Sequence, residues 1–330
     1  MRLDSIICEK IFLAESVKIE KRLSSLLKNH EPVSLYEPCS YILQSGGKHL
    51  RPILLLFSAK AAGADFSFVS NAAVAVEVLH NFTLVHDDIM DNSDMRRGRL
   101  TLHKKYDLST AILAGDNLIA HAYKNLTLDC SSGRSDVISS FTQGIIEVCE
   151  GQSMDKEFEV RKNVSISEYK IMIYKKTAAL LENCCKIGVQ LADADRIIVK
   201  SLSEYGKNLG MAFQIQDDLL DIIADERKFG KKVGIDLVEG KKTFLFLRAF
   251  EKAKGADKKL LLDIVKNKGI KRSKIDIYRS LYSKLGVIND AEREILKYTK
   301  LAVRNLSALS DNEGKDLLLW LANILIKRNK

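Results

Sequence analysis

With 330 residues, 46% of them hydrophobic, the chain can bury a large core, and its length alone admits one large domain or two ordinary ones. An excess of 52 basic over 43 acidic residues leaves +9, which suits nucleic acid, an anionic membrane or a phosphorylated small molecule without ranking them. The six cysteines show no CxxC spacing and follow no cleavable signal pattern, which argues against a thiolate metal site and against secretion, so reduced thiols in a cytoplasmic protein are expected.

Only three prolines occur, Pro32, Pro38 and Pro52, and none follows them. Proline removes a helix donor and clashes with the preceding turn, so this distribution favours an all-helical chain. The first 30 residues predict an amphipathic helix through Ile7, Ile11, Val17, Leu23 and Leu27, ending in a loop at His30, Glu31 and Pro32. SGGKHLRP follows, residues 45 to 52. Gly46 and Gly47 break the pattern and Pro52 suits the first turn of a new helix, so Lys48, His49 and Arg51 stand at a helix junction.

From Ser70 to Met90 the apolar positions Val74, Val78, Phe82 and Val85 recur at helical spacing, so LVHDDIMD closes a long, otherwise buried helix. Residues 92 to 99, NSDMRRGR, predict a loop. Helices are then expected around LAGDNLIAHAY, from Ser135 to Phe158, from Ser167 to Ala192 and from Ser201 to Ala224. A lysine-rich loop marked by Gly230, Gly234 and Gly240 precedes the last helices. The uninterrupted apolar runs, such as ILLLF and AAVAV, fall short of the roughly 20 residues that span a bilayer. No stable membrane insertion is expected, and no internal repeat or low-complexity linker suggests a solenoid or several domains.

One pattern occurs twice. FQIQDDLLDI, residues 213 to 222, again ends an apolar helix with DDxxD. Residues four apart share a helix face, which pairs Asp87 with Asp91 and Asp217 with Asp221. Two like charges about 4 Å apart repel by roughly 4 kcal/mol at an effective dielectric near 20, and a cation must offset that. Oxygen ligands without cysteine or a histidine pair suit Mg²⁺, which usually completes its shell with water and phosphate oxygens. A single such motif would be read equally well as a solvated acidic helix end. Here each copy follows an apolar run and precedes a basic cluster: Arg96, Arg97 and Arg99 after the first, Lys231, Lys232, Lys241 and Lys242 after the second. Acids for metal beside bases for phosphate describe a diphosphate site, and Lys48, Arg51, Arg96 and Arg97 could hold a second anion. His86 and Asp87 also form the HD pair of helical phosphohydrolases, but that chemistry wants further histidine ligands, and His30, His49, His80, His103 and His121 are scattered.

With GGKHLRP, LVHDDIMDNSDMRRG, FQIQDDLLDI and GKKVGIDLVEGKKT in that order, from about Gln44 to Thr243, the chain resembles the trans-isoprenyl diphosphate synthases of the polyprenyl synthetase family. The resemblance implies one all-α domain over residues 1–330 with the isoprenoid synthase fold, helices around a deep central cavity, and a homodimer. It implies Mg²⁺-dependent head-to-tail joining of isopentenyl diphosphate to an allylic diphosphate, with no nucleic-acid partner. Up to three Mg²⁺ would be held by Asp87, Asp91 and Asp217, supported by Asp88, Asp218 and Asp221. Arg96, Lys176, Thr177, Gln214, Lys231 and Lys241 would contact the allylic diphosphate, and Lys176 is counted with the acids as catalytic. Lys48, Arg51, His80 and Arg97 would hold isopentenyl diphosphate.

In such enzymes a bulky residue four or five positions before the first acid forms the floor of the product pocket. Here those positions are Thr83 and Phe82, with Leu79 one turn, about 5.4 Å, further down. An aromatic Phe82 beside small Thr83, with no insertion in DDIMD, resembles the geranylgeranyl (C20) pattern more than the farnesyl (C15) one; Phe82 as ordinary core is the plain alternative. KKTFLF lacks the proline often found after EGKxT, and Lys232 adds charge beside Lys231, which puts the shape of that loop in doubt. Terpene cyclisation or head-to-head coupling would leave Lys48, Arg51 and the second DDxxD without a purpose, and a non-catalytic partner subunit could lose its acids, whereas this chain retains both sets.

Overall fold

Freedom from proline after Pro52 is answered by helix along nearly all of the chain. In the computed structural model, which describes residues 3–131, 133–224 and 233–326, the elements in order are α1 (Ser5–Ser25), α2 (Val33–Leu43), α3 (Leu50–Ala61), α4 (Ser70–Met90), strands β1 (Met95–Arg96) and β2 (Arg99–Leu100), α5 (Leu102–Lys105), α6 (Leu108–Leu128) and α7 (Ser135–Val160). They continue with α8 (Ile166–Ile173), a π-helical turn at Tyr174–Ala178, α9 (Ala179–Leu191), α10 (Arg196–Ile223), α11 (Ile235–Val238), α12 (Phe244–Lys252), α13 (Gly255–Asn267), α14 (Ile275–Lys284), α15 (Val287–Asn305) and α16 (Glu313–Ile326).

The backbone groups into two units. One comprises Met1–Gln143, Asn183–Ser203 and Leu306–Trp320. Its core is α4, where Ala72 to Val76, Val78 and Leu79 are almost wholly buried against α3 and α6. The segment Phe66–Met90 is long and apolar enough to cross a membrane by length and composition, but 72% of its apolar window is buried inside the protein. That hydrophobicity is explained by the core of this unit.

Two expectations change here. Helix α1 buries Cys8, Glu15, Ile19 and Leu23, whereas Ile7 and Val17 face outward at 46% and 48% exposure. Six of the first 17 residues are aliphatic, so several stripes fit a helical period equally well, and contact with α3 and α4 chooses among them. The segment expected as a plain loop is a tight antiparallel hairpin, with Met95 opposite Leu100 and Arg96 opposite Arg99. Arg97 and Gly98, both at positive φ (52° and 74°), make its two-residue turn, as a right-twisted hairpin requires.

The other unit comprises Gly144–Glu182, Glu204–Asn305 and Leu321–Lys330. Its core gathers Tyr169, Ile215, Leu219, Phe244, Leu261 and Tyr282. The stretch expected as one helix from Ser167 to Ala192 is interrupted by the π turn, which widens the backbone at Lys176 and Thr177. Gly151 of α7 permits a close approach there: a Cβ on it would lie 2.2 Å from the backbone nitrogen of Lys176.

Candidate active site

Asp87 and Asp91 stand one turn apart at the C-terminal end of α4, Asp87 half-buried and Asp91 exposed. Asp88, between them, is only 1% exposed. Burial raises its carboxyl, opposed by Arg96, which holds it through Nε and Nη2, each 2.8 Å from Oδ1. The residue expected to grip allylic diphosphate is thus the partner of the middle acid. Hairpin geometry separates the two arginines: Arg96 in the strand turns to Asp88, while Arg97 in the turn donates to the Gly46 carbonyl and to Ser45 Oγ at 3.2 Å.

Arg97 therefore meets the glycine loop that carries Lys48. A Cβ on Gly47 would come within 3.0 Å of the Arg97 guanidinium, which explains the second glycine of SGGKH. Arg51, in the first turn of α3, lies with Nη1 3.1 Å from Nε2 of His80 on α4. His80 is pushed well below the ordinary imidazole range by loss of water and then by Arg51, Arg97, Arg96 and His49. It is neutral near pH 7, so its Nε2 lone pair can accept from Arg51. Of the four residues expected to hold one diphosphate, Lys48 lies on this loop, Arg51 at the helix start, Arg97 in the hairpin turn, and His80 on α4 against Arg51.

The second acidic motif ends α10. Asp218 is buried among three donors: Tyr169 Oη at 2.5 Å, the Phe244 amide at 3.0 Å and Gln214 Nε2 at 3.1 Å. Burial outweighs these bonds and lifts its carboxyl to about 6. Asp221 caps α11, accepting from the amides of Ile235 at 3.2 Å and Asp236 at 3.1 Å. Asp217 is half-buried at the same helix end.

Beside Asp218 lies a cavity of about 120 Å³ whose lining includes Asp155, Lys176, Thr177, Gln214, Asp236 and Lys241. Thr177 Oγ1 donates to Gln214 Oε1 at 2.8 Å, and Lys176 Nζ lies 2.6 Å from Asp155. Lys241 contacts Glu239 at 2.9 Å and Asp236 at 3.9 Å; burial works against its charge, but these acids raise it above the ordinary lysine value. Four of the residues expected to touch allylic diphosphate therefore converge on one cavity, Arg96 belongs to the other unit, and Lys231 lies outside the described residues, as does Lys232.

Asp155, Tyr169 and Asp236 were not legible as site residues. Asp155 follows by one helical turn Gly151, the glycine that admits the Lys176 backbone, and that approach emerges only in the fold. The chemistry of the acids fits a hard cation, since Asp87 and Asp91 offer oxygen alone. Among the described residues no three His, Cys, Asp or Glu cluster tightly enough to hold a metal by themselves. His86 lies edge-on to Phe82 at 4.7 Å with Nε2 3.9 Å from Asp116, beside none of the other histidines a phosphohydrolase would need.

Solved structures define the class. The geranylgeranyl pyrophosphate synthetase of Pyrococcus horikoshii superposes with a TM-score of 0.90 at 36% identity, covering 97% of this chain and 99% of that one. A Caulobacter crescentus polyprenyl synthase, described as complexed with calcium and isoprenyl diphosphate, gives 0.89 at 25% identity over 100% and 99%. The fold is the all-α isoprenoid synthase fold. The polyprenyl synthetase model matches residues 32–282, and the chain belongs to that family of prenyltransferases. Geranylgeranyl diphosphate synthase of Sulfolobus acidocaldarius is 43% identical over 307 residues, 90% of this chain and 91% of the relative.

Proposed function

We propose that the protein condenses isopentenyl diphosphate head-to-tail with dimethylallyl, geranyl or farnesyl diphosphate and stops at geranylgeranyl diphosphate (C20), working as a cytoplasmic homodimer with one catalytic domain over residues 1–330. The observation that carries this is the convergence of Lys176, Thr177, Gln214 and Lys241 on one cavity beside the second DDxxD. The naming of the Sulfolobus and Pyrococcus relatives supports the C20 end point over farnesyl diphosphate.

Asp87, Asp91 and Asp217 supply carboxylates to as many as three Mg²⁺, which when bound neutralise charge on the allylic diphosphate. Lys176 and Lys241 stabilise the charge that grows on the leaving group as its C–O bond breaks and the diphosphate departs with the electron pair. Lys48, Arg51, His80 and Arg97 hold isopentenyl diphosphate so that its double bond forms the new C–C bond with the allylic cation. The proton then lost passes to the released diphosphate, since no side chain in either set is an evident base. Apolar residues of α4 before the acids keep water from the cation.

Purified protein with Mg²⁺, isopentenyl diphosphate and each allylic primer, followed by phosphatase treatment and chromatography, should yield geranylgeraniol. Absence of any lengthened alcohol sinks the reading, and farnesol as the end product moves it to C15. An allylic substrate alone should give no cyclised hydrocarbon. Asp87→Ala and Asp217→Ala should each lower turnover on the order of 10²-fold or more with unchanged circular dichroism. Wild-type rates would remove the metal assignment.

A further inference from the structure

Glu77 lies in AAVAVEVL, an acid inside the most deeply buried run of α4, with 2% exposure. Buried charges are found where something holds them, and its partner is His49, itself 5% exposed, with Nδ1 2.9 Å from Glu77 Oε1. His49 is the residue between Lys48 and the start of α3. It sits in the left-handed region, φ 46° and ψ 35°, where a residue with a Cβ is strained unless its surroundings hold it. Among the described residues its buried Nε2 has no hydrogen-bond partner and the bond to Glu77 is the one polar anchor of the ring.

We propose that Glu77 is a positioning residue for isopentenyl diphosphate: by holding the His49 ring it fixes the left-handed backbone from which Lys48 and Arg51 reach the diphosphate. The proposal rests on the assignment of that substrate to this pocket. The arrangement has a simple logic. Glu77 and His80 are three residues apart on one face of α4 and grip two residues of the junction, Glu77 taking His49 and His80 taking Arg51 at 3.1 Å. Glu77 precedes Asp87 by ten residues, about 15 Å along the helix, so its effect should fall on one substrate and not on the metal ligands.

Charge gives a contrary expectation. Glu77 is a carboxylate bonded to His49, and it supports the charge of Arg97, as Asp88 does more weakly. Removing it on electrostatic grounds alone would tighten diphosphate binding. Positioning predicts the opposite sign.

The test is steady-state kinetics on the full chain with Mg²⁺, each substrate varied in turn. Glu77→Leu removes acceptor and charge, and should raise KM for isopentenyl diphosphate about tenfold or more while KM for the allylic substrate and kcat stay within about twofold. Glu77→Gln keeps an acceptor for His49 and should restore that KM to within about threefold of wild type. His49→Gly accepts the backbone angles but loses the ring, so it should reproduce the Glu77→Leu effect, and the double variant should be no worse than either single one. His49→Gly also decides the matter should Glu77→Leu fail to fold. Tighter isopentenyl diphosphate binding in both Glu77 variants, or equal changes in both KM values, overturns the positioning role. Lys48→Ala separates the underlying assignment: an unchanged KM there refutes the pocket itself, whereas a raised one with no effect of Glu77→Leu and His49→Gly refutes only Glu77.

Discussion

Asp88 and Asp218 are the middle acids of their motifs, and the structure gives both to the protein itself. Each is buried and each carboxylate is bonded internally, Asp88 by Arg96 and Asp218 by Tyr169, Gln214 and the Phe244 amide. Helical spacing alone paired Asp87 with Asp91 and Asp217 with Asp221, yet Asp221 accepts two amides of the next helix. The sequence could not reveal this, because all the donors but Gln214, one turn earlier on α10, come from a hairpin register and from helices α8, α11 and α12. A buried carboxylate that loses its partner costs about 1–3 kcal/mol. In a chain this large, that corresponds to roughly 1.5 °C in Tm for each kcal/mol. Arg96→Ala should therefore lower Tm by a few degrees in a thermal melt and also reduce activity by loosening the end of α4. An unchanged melt would show that Arg96 is not needed to hold Asp88.

At the scale of elements, α4 was read from the sequence with the bounds it has, Ser70–Met90, because apolar periodicity and a buried environment agree there. The π turn at Tyr174–Ala178 was invisible. A single wider turn leaves the apolar pattern on either side almost unchanged, so the segment reads as continuous helix, though it is this turn that carries Lys176 and Thr177. The proposed length ruler also belongs to α4. Phe82 is 8% exposed and its ring meets His86 edge-on at 4.7 Å, while Thr83 spends its hydroxyl on the His80 carbonyl at 2.8 Å. Thr83 lies about 6 Å and Leu79 about 12 Å along the helix before Asp87. Those distances suit a barrier placed one to two turns from the reacting carbon. Phe82→Ala removes the largest of the three side chains, and should shift the product from C20 to longer alcohols on the same chromatogram. Unchanged length would return Phe82 to the core and place the floor elsewhere.

At the scale of the whole molecule, four motifs in a fixed order were enough to identify the family, whereas +9 was not, since charge alone cannot choose among anionic partners. Charge distribution has a thermodynamic consequence. Mg²⁺ usually completes its shell with phosphate oxygens, so the ion and a diphosphate should bind the folded chain together more tightly than either does alone. Any ligand that binds only the folded chain stabilises it by RT ln(1 + [L]/Kd), about 2.7 kcal/mol at a hundredfold excess over Kd. With the same size scaling, Mg²⁺ and inorganic diphosphate together should raise Tm by roughly 4 °C. Each alone should give a smaller shift, EDTA should abolish the joint effect, and Asp87→Ala should weaken it. A joint shift that survives EDTA would mean that lysines and arginines hold the diphosphate without metal, and the carboxylates would then need another role.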